Sequence, residues 1–172
     1  MKNFDELPEK IQEVEIERIE SETYTEPQHK TLRLATLDDV PSLLELGKDL
    51  YKDSPLEFMK FDFSKVRENL EAAILNPKEW LVLVSHDEGK PVGCLVAYVF
   101  NPLYSKEKIA CEVLWHLLPE HRKGRRGVDM MIAFEYWAKL MGCAVAQYGW
   151  MTSSPARMEE LYERTEFFRR GR

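Results

Sequence analysis

What this chain lacks narrows its class before any motif is read. It has no apolar run long enough to span a bilayer, and its first residues are acidic where a secretory signal would be basic and then apolar. The expectation is a soluble, cytoplasmic protein with no membrane partner. Cysteine is scarce, and Cys94, Cys111 and Cys143 form an odd, widely spaced set without the paired spacings of a zinc site. They read as reduced, mostly buried thiols, and no metal is expected. The chain also lacks a basic excess: its formal net charge is -6, which argues against nucleic acid as a general partner. No internal repeat or low-complexity segment appears.

What is present is one domain's worth of core, since 172 residues at 44% hydrophobic suit a single substantial domain. The charge is unevenly placed. Nine acidic residues from Asp5 to Glu26 face only Lys2, Lys10 and Arg18, so residues 1–29 carry the whole imbalance. That stretch has no consistent apolar period and reads as an acidic N-terminal extension to a domain spanning 30–172. From Leu32 the pattern sharpens. Leu32 to Ala35 reads as a short strand, and Asp38 and Asp39 offer caps for a helix bearing Val40, Leu43, Leu44, Gly47, Leu50 and Tyr51, ended by Asp53-Ser54-Pro55. Ser64 can cap a second helix with Val66, Leu70, Ala73 and Ile74 on one face, stopped at Asn76-Pro77.

Strands follow. Trp80–Val84 and Val92–Val99 are apolar runs joined across Asp87-Glu88-Gly89-Lys90, a hairpin signal, and their near-continuous hydrophobicity implies burial on both faces. A further strand runs from about Ile109 to Leu117 and is closed by Pro119. Met130, Phe134, Trp137, Ala138 and Met141 mark a third helix with Gly142 as its stop, Val145 to Trp150 reads as a strand, and Ser153 or Ser154 caps a fourth helix containing Met158, Leu161 and Tyr162. The order is β-α-α-β-β-β-α-β-α, with a short last strand at Phe167 and Phe168.

Between the strand ending at Leu117 and the third helix lies Arg122-Lys123-Gly124-Arg125-Arg126-Gly127. A tight basic turn there presents backbone N–H groups and the positive end of a helix dipole, an arrangement suited to a diphosphate. It is neither a Walker A loop nor a G-x-G-x-x-G dinucleotide fingerprint, and by itself such a turn is as readily a solvated basic loop.

The stretch Glu112 to Arg122, the turn, and Phe134 to Gly142 together resemble the acetyl-CoA-binding core of GNAT-family acetyltransferases, and the resemblance extends over roughly Lys30 to Phe168. The family signature Q/R-x-x-G-x-G/A is met by Arg122 and Gly127, with Arg125 where the first glycine is usual, a variant similar to phage-type members. Glu160 to Phe167 resembles the family's Y-E-K-x-G-F close, with Glu166 in place of glycine. The resemblance implies an α+β fold: a single domain with a mixed, mostly antiparallel central sheet flanked by about four helices.

It also implies a chemistry. Acyl transfer to an amine needs the amine neutral, whereas a lysine-like amine has a pKa of roughly 10.4. The family's usual base is a carboxylate on the central strand, where Glu112 falls; regular alternation puts Glu112, Leu114 and His116 on one face, making His116 a second candidate. Glu112 could equally be a surface charge and His116 a satisfied core histidine. A backbone N–H of Leu117 or Leu118 would serve the oxyanion, and Tyr162 would protonate the leaving thiolate. Arg122, Lys123, Arg125 and Arg126, with backbone donors from Gly124 to Gly127, would hold the phosphates of acetyl-CoA. Ser153 or Ser154 would replace an asparagine that contacts pantetheine, since Pro155 stands there. The implied acceptor is an amine-bearing small molecule or protein, entering past Tyr51, Phe58, Phe61 and Trp150. A strand edge near Phe168 would suit a homodimer. Arg125, Pro155 and Glu166 also admit a CoA-binding or protein-interaction module with weak or no catalysis.

Overall fold

The computed structural model describes residues 31–52 and 58–149. In chain order these are β1 (Leu32–Leu34), a 3-10 turn (Leu37–Asp39), α1 (Val40–Lys52), α2 (Phe63–Leu75), β2 (Trp80–Asp87), β3 (Lys90–Phe100), β4 (Lys108–Leu117), a second 3-10 turn (Pro119–His121), α3 (Arg126–Leu140) and β5 (Cys143–Gln147). The strands lie in the order β1-β2-β3-β4-β5. Every pairing is antiparallel except β4 with β5, which α3 joins as a crossover. The expected α+β architecture is therefore present.

The sheet is covered on both faces, which is why β2 and β3 are so evenly apolar. Leu81, Leu83, Leu95, Ala97 and Ala110 pack under Met130, Phe134, Trp137 and Ala138 of α3. Val82, Val84, Cys94 and Val96 pack against Leu43 and Leu46 of α1 and Ala73 of α2. The β2–β3 hairpin closes with Asp87 opposite Lys90, and Glu88 and Gly89 both take positive φ, 46° and 79°. Two central residues with positive φ make the turn whose twist matches the flanking strands.

Two helix starts differ from expectation. Neither Asp38 nor Asp39 is the first cap: Thr36 leads the turn into α1, and the Asp39 carboxylate accepts from its N–H at 2.8 Å and its hydroxyl at 3.1 Å. Arg33 donates to both oxygens of the same buried carboxylate, at 2.6 and 2.8 Å. That guanidinium holds the Asp39 carboxyl down at about 2 and ties β1 to the root of α1. At α2 the cap is Asp62, which accepts from the N–H groups of Ser64 and Lys65, so Ser64 lies inside the first turn. The fifth strand also starts two residues earlier than Val145 and ends at Gln147. The expected fourth helix and last strand, with Trp150, Ser153, Ser154, Pro155, Tyr162, Glu166 and Phe168, lie outside the described residues, as does the 1–29 extension.

Candidate active site

The functional geometry begins with an irregularity in β4. Val96 pairs with Leu114 and Ala97 pairs with Glu112, so Val113 has no partner on β3 and forms a bulge. One extra residue reverses the alternation beyond it. Glu112 stands opposite Ala97, on the face covered by α3, whereas Leu114 and His116 stand opposite Val96 and Cys94, on the face covered by α1 and α2. The expectation that Glu112, Leu114 and His116 share a face is thus corrected: the bulge separates the two candidate bases across the sheet.

The same irregularity coincides with a split. β5 pairs with β4 only from Lys108 to Cys111, and Glu112 is the next residue. Its carboxylate accepts from the Gly149 N–H at 2.8 Å, bridging the two strands where their ladder ends. Glu112 is 8% exposed, and this burial pushes its carboxyl up to about 7 against the lowering effect of the Gly149 hydrogen bond. A carboxylate in that range exchanges protons near neutrality. His116, also buried, has Nε2 3.3 Å from Asp49 Oδ2 of α1.

Further along, among the described residues, the edge of β4 away from β3 is open. The Leu118 N–H donates to the Val92 carbonyl at 3.0 Å and is used by the sheet. Leu117 pairs with Gly93 in the alternate, non-hydrogen-bonded position, so its N–H and carbonyl face away from β3. Its carbonyl accepts from Arg122 Nε at 2.8 Å. Of the two residues expected to offer an oxyanion donor, only Leu117 turns its N–H to the open edge. Trp115 and Tyr148 approach each other across this region, with ring centroids 6.2 Å apart, and the Tyr148 hydroxyl donates to Glu135 at 2.8 Å.

The basic turn then delivers the chain into α3. Gly124 takes φ +98° while Arg125 is ordinary, at -98°. The unusual conformation has moved to the glycine one place earlier, which lets an arginine occupy the usual glycine position without strain. The first helical bond runs from the Asp129 N–H to the Arg125 carbonyl, and Arg125 makes no side-chain cap. The N–H groups of Arg126, Gly127 and Val128 therefore have no acceptor within the helix and lie at its positive end. Gly127 sits over Trp115 and Leu117, where an added methyl would only touch them, at 3.6 and 3.8 Å. These donors fit a diphosphate.

The basic side chains divide. Arg126 does not face the turn's open side, because its guanidinium donates to the His86 carbonyl at 3.0 Å and to Asp87 at 2.7 Å, binding α3 to the β2–β3 hairpin. Arg125 reaches forward one turn to Asp129, at 2.8 Å, but its side chain stays 73% exposed. Lys123 and Arg122 are exposed at the turn. Of the expected acceptor-side residues, Tyr51 and Phe61 pack together with centroids 5.3 Å apart, while Phe58 projects into solvent. Burial pushes the Cys94 thiol up to about 12 and raises Cys111 and Cys143, so none is poised as a thiolate at neutral pH. Among the described residues no group of three or more His, Cys, Asp or Glu could hold a metal, and no helix is long and apolar enough to cross a membrane.

Two features of the candidate site are not visible in the sequence. The Val113 bulge has no residue-type mark, since valine suits a regular strand. Asp49, the neighbour of His116, lies on a helix whose other acidic residue, Glu45, looks the same in sequence.

A five-stranded sheet split between β4 and β5, with a buried carboxylate at the split and a basic turn leading into α3, defines a GNAT-type domain. Residues 44–167 match the Acetyltransferase (GNAT) family, and the chain belongs to that family. An amino-acid acetyltransferase from Pasteurella multocida (strain Pm70) is 30% identical over 113 residues, 66% of this chain but only 22% of that protein. The chain therefore spans about a fifth of the length of that relative. An integron cassette protein from the mobile metagenome of Cole Harbour Salt Marsh superposes with TM-score 0.68 at 15% identity, covering 83% of this chain and 86% of its own. An aminoglycoside acetyltransferase from an uncultured soil metagenomic sample, solved with sisomicin, superposes with TM-score 0.61 at 17% identity, covering 81% and 90%. At these identities the two structures speak for the fold alone.

Proposed function

We propose that this chain transfers an acetyl group from acetyl-CoA to an amine by direct attack within a ternary complex. The observation that carries the reading is Glu112: a buried carboxyl raised to about 7, fixed by Gly149 at the point where β4 and β5 part. Bound acetyl-CoA supplies a thioester carbonyl open to a neutral amine. Glu112, ionised, accepts the proton that the ammonium must lose, directly or through one water. The Leu117 N–H donates to the carbonyl oxygen as negative charge develops on it. The N–H groups of Arg126, Gly127 and Val128 hold the diphosphate, with Lys123, Arg122 and Arg125 adding positive charge around it. Tyr162 and Ser154, outside the described residues, keep their proposed roles as thiolate acid and pantetheine contact.

The amine-bearing acceptor is a small molecule or a protein, and the alternative remains a CoA-binding module without turnover. Three departures motivate that alternative, and the positive φ of Gly124 supports the enzyme reading at one of them, Arg125. Calorimetric titration with acetyl-CoA, followed by thioester-consumption assays on an amine panel, tests both readings. Binding with turnover supports the enzyme, binding without turnover supports the module, and a folded sample that gives no heat overturns both.

A further inference from the structure

The β4–β5 ladder ends with Cys111 opposite Gln147, and side chains take part in holding the two residues that follow. Tyr148 comes first. Its ring is buried against Phe134 of α3, edge to face with centroids 5.1 Å apart, and against Trp115 of β4. Its hydroxyl donates at 2.8 Å to the carboxylate of Glu135, also on α3. A phenylalanine would fill the core as well as this tyrosine does; the hydroxyl is what ties the end of β5 to one point of the helix.

Gly149 is next, and its N–H donates at 2.8 Å to Glu112. There is little slack at this contact. A Cβ added to Gly149 would lie 3.3 Å from Glu112 Oε2 and 3.7 Å from the Glu112 carbonyl oxygen, so a methyl group would press on the oxygen that the N–H holds. A drift of the N–H by about 1 Å would take it out of hydrogen-bond range. The placement of the carboxylate thus depends on the placement of the residue beside Tyr148.

We propose that Tyr148 and Glu135 are positioning residues for Glu112: their hydrogen bond fixes the chain leaving β5 to α3 and, through the adjacent Gly149 N–H, fixes the carboxylate where β4 and β5 part. The inference rests on the acetyltransferase reading above, in which Glu112 is the base. Both residues act through Gly149, and neither takes part in the proton transfer. The Gly149 hydrogen bond favours the ionised form of Glu112, against the burial that raises its carboxyl to about 7. Loosening the tether therefore moves the titration of Glu112 upward. Around that carboxyl, β4 presents the neighbouring Cys111 thiol, raised by burial and then by the Glu112 charge, β3 presents Ala97, and α3 presents Glu135 by way of Tyr148.

Carbon-13 NMR titration of the Glu112 carboxyl in the full chain, native and as Tyr148→Phe, Glu135→Gln and Glu135→Leu, tests this. Phenylalanine keeps the ring and loses the donor. Glutamine and leucine remove the same charge, but only glutamine keeps an oxygen for the tyrosine, so their difference reads the hydrogen bond alone. Tyr148→Phe and Glu135→Leu should each raise the Glu112 midpoint by about half a pH unit or more, with Glu135→Gln close to native. The double variant Tyr148→Phe, Glu135→Leu should shift no further than either single one. The acid limb of the acetyl-transfer pH profile should move in the same order. Unmoved midpoints in folded Tyr148→Phe and Glu135→Leu, or glutamine shifting as far as leucine, would overturn the proposal. The titration needs no turnover, so a native chain that shows these shifts and acetylates no amine would instead overturn the acetyltransferase reading.

Discussion

In the proposed mechanism Glu112 is under two opposed demands, because the burial that brings its pKa near neutrality also makes its ionised form costly. Its folded pKa of about 7 lies above the unfolded reference of 4.5. A carboxyl raised on folding contributes stability that is fully present below pH 4.5 and is lost as pH rises through about 7. Glu112→Gln keeps an oxygen for the Gly149 N–H and removes the charge. At pH 8 the variant should be more stable than the native protein by roughly 2–3 kcal/mol, and the difference should vanish near pH 4.5. Acetyl transfer should fall by about 100-fold or more and lose its rise through pH 7. Urea unfolding at the two pH values, with a pH–rate profile, checks this. A variant less stable at pH 8 would mean that the Gly149 hydrogen bond outweighs the burial of the charge.

At the scale of elements, the bulge in β4 is what separates Glu112 from Leu114 and His116 across the sheet. Val113 is 56% exposed and contributes little to either core. Deleting it would leave Glu112 opposite Ala97 and Leu114 opposite Val96, the pairs that already exist, now in regular alternation. The fold should therefore survive the deletion, with a melting temperature within several degrees of native. The local bend that accompanies the parting of β4 from β5 should disappear, and acetyl-CoA binding with it. Retained binding in the deletion variant would show that β5 diverges for another reason. This element also marks the boundary of what the sequence discloses. Strands and helices were legible because their apolar periods answer to two covered faces, as in Leu81 to Val84 and Met130 to Ala138. The turn at Gly124 was legible because only glycine accepts its φ readily. The bulge was not, since register is fixed by the partner strand. Nor were the cap positions, because Thr36, Asp38, Asp39, Asp62 and Ser64 are all good cap residues and tertiary contacts such as Arg33 with Asp39 choose among them. The aromatics between α1 and α2 were legible only as a group: Tyr51 and Phe61 meet while Phe58 is exposed, a division their sequence spacing does not show.

For the molecule as a whole, charge and fold separate along the chain. The two hydrophobic cores together span Leu32 to Tyr148, and the family match begins at residue 44, whereas the net charge of -6 resides in residues 1–29. A chain of residues 30–172 is thus close to neutral while keeping Arg122, Lys123, Arg125 and the donors at the start of α3. Acetyl-CoA is a polyanion, and nine carboxylates tethered to the domain oppose its approach over distances of about a Debye length, roughly 10 Å at 0.1 M salt. We expect the 30–172 chain to unfold at nearly the same denaturant midpoint as the full chain and to bind acetyl-CoA severalfold more tightly at low salt. The two should converge near 0.5 M salt, where screening removes the repulsion. Calorimetric titrations of both chains across that salt range distinguish the outcomes. Tighter binding confined to low salt makes the acidic segment an electrostatic modulator, whereas lost binding at every salt concentration makes it part of the site.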